Sequence, residues 1–83
     1  GEAVALAAAF RGEGIGRRLL QACIDKARAK GITRIELEVR ADNQPAIGLY
    51  RSMGFEQEAV KRRAMRFDGH YHDALLMSLL GPD

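Results

Sequence analysis

The fold is decided by one glycine-rich stretch of the sequence, Arg11-Gly12-Glu13-Gly14-Ile15-Gly16. An apolar segment precedes it, and from about Ile15 to Lys30 the apolar residues recur at helical spacing. A strand, a glycine-rich turn and a helix in succession favour anion binding. Glycine lets the backbone approach a ligand closely, and the first N–H groups of a helix point outward. The stretch therefore suits a pyrophosphate, although an ordinary tight turn into a surface helix gives the same pattern.

The composition indicates a single small globular domain over residues 1–83. Of the 83 residues, 47% are hydrophobic and 29% are charged, with a net charge of +2. This charge permits an acidic ligand but does not require nucleic acid, and no aromatic residue is interleaved with a basic run. The apolar runs are too short to span a bilayer. We therefore expect neither a nucleic-acid partner nor a membrane partner.

The cysteine and the histidines give no sign of a metal site. Cys23 is the single cysteine and lies on the apolar face of the predicted helix, so we expect a buried core thiol in a reducing, cytoplasmic compartment. His70 and His72 flank Tyr71, without a Cys, Asp or Glu at ligand spacing. We expect them at the surface, and no bound metal.

The remaining pattern predicts alternating strands and helices. Alternation of apolar and polar residues, helix-capping signals and a two-residue hairpin turn, Asp68-Gly69, set the boundaries. The predicted elements are strand Glu2 to Ala9, helix Ile15 to Lys30, strand Ile32 to Arg40, a short helix after Asn43 that ends at Gly54, strand Phe55 to Phe67, and strand Tyr71 to Leu80. This order predicts an α/β (α+β) fold in which a β-α-β unit, with its strands parallel in a mixed sheet, is followed by a helix and an antiparallel hairpin.

Two motifs together resemble the GCN5-related N-acetyltransferase superfamily. Arg11-x-x-Gly14-x-Gly16 at the start of a helix is similar to that family's coenzyme A pyrophosphate motif. The run from Leu37 to Phe55, which contains Glu38, Asn43, Tyr50 and Gly54-Phe55, is most similar to the ribosomal-protein alanine N-acetyltransferases. The resemblance covers essentially the whole chain. It implies acetyl-CoA as co-substrate and a primary amine, at a protein N-terminus or in a small molecule, as acceptor.

The resemblance also implies which residues bind the cofactor. Backbone groups of the first strand would pair with the pantetheine arm, the amides of the glycine-rich stretch with one arginine would hold the pyrophosphate, and an asparagine would bind a cofactor amide. The residues are Val4, Ala5 and Leu6 for the arm, Arg11, Gly12, Glu13, Gly14, Ile15, Gly16 and Arg17 for the pyrophosphate, and Asn43 for the amide. By its position alone, Asn43 could equally serve only as the cap of the short helix.

Two residues carry the chemistry that the resemblance implies. Tyr50 would be the general acid that protonates the departing thiolate, and Glu38 would be the base that takes a proton from the amine. From the pattern alone, Tyr50 could be a core tyrosine, and Glu38 and Glu36 could be only the polar side of a strand.

The chain reads as the C-terminal, cofactor-binding half of such an acetyltransferase. It begins with Gly1-Glu2 rather than methionine and is soon in a strand-like run, so we expect it to be a piece whose upstream part is not included. The resemblance implies that further strands and helices come before this point. The alternatives are a non-catalytic module that binds coenzyme A, a purely structural half, or a nucleotide-binding β-α-β unit without the usual acidic residue. With an open first edge and Leu6, Leu37, Val39 and Leu76 in need of cover, the chain is expected to form a homodimer by edge pairing or by exchange of the Asp68-Gly69 hairpin.

Overall fold

The computed structural model describes residues 2–5 and 16–81. Within them, the elements are β1 (Glu2–Ala5), α1 (Arg17–Ala29), β2 (Ile32–Arg40), α2 (Gln44–Ser52), β3 (Glu56–Phe67) and β4 (His70–Leu80). The α+β class and the element order along the chain are confirmed. The end of the predicted first strand, from Leu6 to Ala9, and the glycine-rich stretch from Arg11 to Ile15 lie outside the described residues.

Each helix begins and ends at the signals in the sequence. Gly16 is the N-cap of α1, and Gly31 follows its last turn with φ at +82°. Asn43 caps α2, where its Oδ1 accepts a hydrogen bond from the backbone N–H of Ala46 at 3.3 Å. Gly54 follows α2 with φ at +101°, and a Cβ there would lie 3.1 Å from Leu79, so a side chain would be both strained and crowded.

The four described strands form one sheet in the order β1-β2-β4-β3. β1 pairs with β2 in parallel, while β4 pairs antiparallel with β2 on one side and β3 on the other. The hairpin between β3 and β4 turns at Asp68 and Gly69, which have φ of +51° and +76°. Two successive positive φ values are the geometry of a tight two-residue hairpin turn. β4 follows β3 in the chain but lies between it and β2.

Both helices pack on one face of the sheet and share one core with it. The core contains Leu20, Ile24 and Ala27 from α1, Ile35, Leu37 and Val39 from β2, Ile47 and Tyr50 from α2, Phe55, and Leu75 and Met77 from β4. Burying this much apolar surface is the main favourable contribution to folding. Neither described helix has the length and apolar character needed to cross a membrane.

Two expectations about burial are wrong. Leu37 and Val39 were expected to lack cover, but their exposed fractions are 3% and 0%, because α1 and α2 pack on the same side of β2. Cys23 was expected in the core but is half-buried, since it borders the buried stripe of α1 and does not lie within it. Leu76 is half-buried, and Leu6 lies outside the described residues.

Candidate active site

The N-terminus of α1 presents backbone donors and positive side chains together. Gly16 provides no side chain to cap the helix, and the first turn has no acidic residue. Arg17 and Arg18 follow at once and are exposed. The N–H groups of a first helical turn have no partner inside the helix and lie at the positive end of its dipole. This turn is therefore chemically suited to an anion such as a phosphate.

No described atom lies close to Gly16 on the side where a side chain would project. Its φ is −71°, which any residue adopts, and a Cβ added there would have no described atom within 4 Å. The glycine is thus not required by the described part of the fold. A requirement for it would have to come from a ligand that approaches the backbone.

Arg17 connects the two helices. Its Nη2 donates a hydrogen bond to Oγ of Ser52 at 2.7 Å, and that hydroxyl donates to the carbonyl of Leu49 at 2.6 Å. The first turn of α1 is therefore tied to the last turn of α2, the helix that carries Tyr50. Of the residues expected at the pyrophosphate, Gly16 and Arg17 lie here, and Arg11 to Ile15 lie outside the described residues.

Within the described residues, β1 pairs with the first part of β2. Val4 and Ala5 lie opposite Ile35 and Glu36, and the described register with β1 goes no further. On its other side, β2 pairs with β4 as far as Arg40. An extended chain can add to a strand edge through main-chain hydrogen bonds. The expected pantetheine residues Val4 and Ala5 thus lie at this edge, while Leu6 is outside the described residues.

Asn43 lies just beyond the end of β2 and is half-buried. The described contacts give its Oδ1 the capping role in α2. A bond from its amide to the cofactor stays a prediction, and the two roles are compatible because the side-chain amide also has an NH₂ group that can donate.

Tyr50 lies inside the core on the helix-covered face. Its exposed fraction is 4%, and its ring centroid is 6.0 Å from that of Phe55 at an angle of 59°. Burial raises the pKa of Tyr50 above its usual value of 10.0. The hydroxyl therefore keeps its proton at neutral pH, as a general acid must.

Glu38 lies on the opposite face of the sheet from Tyr50. Its neighbours Leu37 and Val39 point into the helix-covered core, and side chains alternate along a strand. Glu38 is exposed, and its Oε2 accepts a hydrogen bond from Nζ of Lys61 on β3 at 2.7 Å. The structure therefore places the two expected catalytic groups on opposite faces of the sheet.

The face of the sheet that carries Glu38, which we call the open face, contains several ion pairs. It contains Arg34, Glu36, Glu38 and Arg40 on β2, Glu58 and Lys61 on β3, and Ala74, Leu76 and Ser78 on β4. Arg34 bonds both Glu36 and Glu58, and Glu58 also accepts from Ser78 at 2.7 Å. The hydrogen bonds from Arg34 and then Ser78 lower the pKa of Glu58. Glu36 therefore belongs to an ion-pair network that does not include Glu38.

The sequence did not indicate that Lys61 contacts Glu38. In the sequence it belongs to the charged run Lys61-Arg62-Arg63, which made the limits of the strand uncertain. Its contact with Glu38 depends on β4 lying between β2 and β3, and on the bulges in β3. No pattern of neighbouring residues indicates the pairing of three strands that brings Lys61 to Glu38.

The histidines do not form a metal centre with the described residues. His70 is exposed and His72 is half-buried, with its ring 6.1 Å from that of Phe67. Within residues 2–5 and 16–81, no three His, Cys, Asp or Glu side chains are grouped so that they could hold a metal ion.

The family model and the similar proteins agree on one family. Residues 1–55 match the model of the Acetyltransferase (GNAT) family, a range that includes Glu38, Asn43 and Tyr50. The chain is 39% identical over 70 residues to the [ribosomal protein bS18]-alanine N-acetyltransferase of Salmonella typhimurium, covering 84% of this chain and 47% of that protein. It is 49% identical over 61 residues to N-alpha-acetyltransferase RimI of Mycobacterium tuberculosis, covering 74% of this chain and 37% of that protein. The chain therefore spans less than half the length of either relative.

A solved structure carries the same fold and a cofactor. The structure of yncA from Salmonella typhimurium with its cofactor acetyl-CoA superposes with a TM-score of 0.80 at 28% identity. The match covers 98% of this chain and 49% of that one.

Proposed function

Because the chain belongs to the acetyltransferase (GNAT) family, we propose that it acts in the transfer of an acetyl group from acetyl-CoA to a primary amine. The family match over residues 1–55 carries the proposal, since it spans the first turn of α1 and the residues of β2 and α2 expected at the site. The relative from Salmonella typhimurium is named for an alanine of ribosomal protein bS18, which supports a protein N-terminus as acceptor. A small amine is the other acceptor class.

The proposed mechanism is a direct attack of the amine on the thioester. Glu38 takes a proton from the amine, the nitrogen forms the new C–N bond, and the oxyanion is met by backbone N–H groups of β1. The C–S bond then breaks, and Tyr50 gives its proton to the sulfur of coenzyme A. A phenol suits this step because its reference pKa, about 10, is near that of a thiol at about 8.5. The positions of Glu38 and Tyr50 on opposite faces support separate routes for the two protons.

The coenzyme's phosphates are proposed to bind at the first turn of α1. The amides from Arg11 to Gly16 and the guanidinium of Arg17 would hold the pyrophosphate, and Val4 to Leu6 would pair with the pantetheine arm. Asn43 would donate to a cofactor amide. Because Arg17 bonds Ser52 in the free chain, its contact with phosphate would share or replace that hydrogen bond.

Acetyl-CoA should stabilise the chain against heat, and thiol should be released when an amine acceptor is added. Ligand that binds only the folded state raises its apparent stability. Stabilisation without thiol release would favour the alternative of a non-catalytic coenzyme A module. If neither occurs in the full-length protein, the chain is a structural half-domain.

Gly16→Val should weaken acetyl-CoA binding at least tenfold, roughly 1.4 kcal/mol, because the new side chain keeps the pyrophosphate away from the backbone. Isothermal titration measures the affinity. Gly48→Val is the matched control, since Gly48 is also exposed and a Cβ there meets no described atom within 4 Å. If the folded Gly16 variant bound as tightly as the Gly48 variant, the pyrophosphate would have to lie elsewhere.

A homodimer and a cytoplasmic location complete the proposal. In the described sheet β1 and β3 each have a neighbour on one side only, and β3 is exposed along most of its length. Pairing of an edge or exchange of the hairpin would cover it. We expect a dimer by sedimentation equilibrium over a wide concentration range, and a compact monomer throughout that range would contradict it. A relative named for a ribosomal-protein substrate supports the cytoplasm.

A further inference from the structure

Lys61 is placed to hold Glu38 from across the sheet. Glu38 is on β2, Lys61 is on β3, and β4 lies between them with Leu76 opposite Glu38 and Ala74 opposite Lys61. Strands two places apart are separated by about 10 Å, so only a long pair of side chains can meet over the strand between them. The Nζ–Oε2 distance of 2.7 Å is that of a charge-assisted hydrogen bond.

The contact leaves one carboxylate oxygen for chemistry. Lys61 binds Oε2, and among the described residues Oε1 has no hydrogen-bond partner. The hydrogen bond that Lys61 donates to Glu38, followed by the negative charge of that carboxylate, raises the pKa of Lys61, so the lysine stays a cation through the neutral range. It can therefore orient the Glu38 carboxylate and keep a positive charge beside it, but it does not act as a second base.

The same face holds a carboxylate in a different setting. Glu36 lies two residues before Glu38 and faces the same side, but it is bonded by Arg34, which also bonds Glu58. Two carboxylates on this face, Glu36 and Glu58, therefore belong to one network with Arg34 and Ser78. Glu38 is instead held by a single lysine, and it alone is the proposed base.

We propose that Lys61 is a positioning residue that fixes the Glu38 carboxylate for proton transfer from the acceptor amine. This inference rests on the proposed function, since it assigns a partner to the base of that reaction. In this proposal Lys61 acts through Glu38 and is assigned no contact with the thioester or the attacking nitrogen.

Lys61→Met in the full-length protein should lower kcat for the amine by about tenfold, within the hundredfold that a 1 Å misplacement of a catalytic group can cost. The KM for acetyl-CoA should not change, because Lys61 lies on the open face and α1 packs on the opposite face of the sheet. Lys61→Arg keeps a cation within reach of the carboxylate and should recover most of kcat. A role in packing alone would not be restored in this way.

A double-mutant cycle with Glu38→Gln makes the test specific. If Lys61 acts through Glu38, adding Lys61→Met to Glu38→Gln should cause no further loss of kcat. A further tenfold loss in that background would overturn the inference. Arg34→Met is the control, since it breaks ion pairs on the same face without contacting Glu38, and its kcat should match that of the unmodified protein.

The failures of the two proposals are distinguishable. If Glu38→Gln is slow and Lys61→Met is as fast as the unmodified protein, the inference falls and the proposed base stands. If Glu38→Gln is itself fully active, Glu38 is not the base, and the inference falls with that assignment.

Discussion

Tyr50→Phe is expected to slow acetyl transfer by about 10²-fold or more while leaving acetyl-CoA affinity unchanged. The substitution removes one hydroxyl from a ring that is almost fully buried against Phe55, so the packing of α2 on the sheet is kept. What is lost is the proton for the departing thiolate. Steady-state kinetics for thiol release, with cofactor binding by titration, separate the two effects.

Tyr71→Phe is the matched control for this prediction. Tyr71 is the other tyrosine of the chain, lies on the hairpin strand β4 and is 60% exposed. Removal of the Tyr71 hydroxyl should not alter the rate of acetyl transfer. If both variants were equally active, Tyr50 would be a packing residue only. Burial raises the pKa of Tyr50, so any loss of rate through ionisation of its hydroxyl should begin at a higher pH than it would for an exposed tyrosine.

Leu20→Ala should reduce the free energy of unfolding by about 2–5 kcal/mol. Leu20 has an exposed fraction of 0% and fixes α1 to the sheet next to the residues of β2. Small domains have a total stability of about 5–15 kcal/mol, so this loss would leave little of it. Urea denaturation followed by circular dichroism measures the change.

The neighbouring leucine provides the control. Leu19 is 55% exposed, and its replacement by alanine should change stability by no more than about 0.5 kcal/mol. Both substitutions have the same effect on intrinsic helix propensity, so the difference between them isolates burial. Equal effects would mean that α1 does not pack on the sheet in this orientation.

The boundaries of the elements were largely predictable because local chemistry sets them. The alternation from Ile32 to Arg40 is strand β2, and the sequence pair Asp68-Gly69 is the tight turn. Asn43 and Pro45 begin α2 as their cap and first-turn preferences require. Such features depend on a few adjacent residues, which a sequence displays directly.

The arrangement of the site was less predictable because it depends on how elements pack. Leu37 and Val39 were expected to need cover because two helices were expected to cover only part of the sheet, and the sequence does not show which strand residues the helices reach. The packing of both helices on one face also places Glu38 and Tyr50 on opposite sides of β2. Lys61 could not be assigned to Glu38 because the contact crosses a strand that comes later in the chain than either residue.

The position of β4 has a consequence for biosynthesis. A ribosome delivers β2 and α2 first, yet the strand that pairs with Val39 contains Leu75 and emerges only after β3 and the hairpin turn. Until β4 emerges, the edge of β2 on that side lacks its hydrogen-bonded neighbour, and β3 has no strand that connects it to the sheet. Closing such distant pairs is slow compared with forming a hairpin. As the chain emerges from the ribosome, we therefore expect β3 to pair with β4 first. The completed hairpin then docks against β2 as a unit.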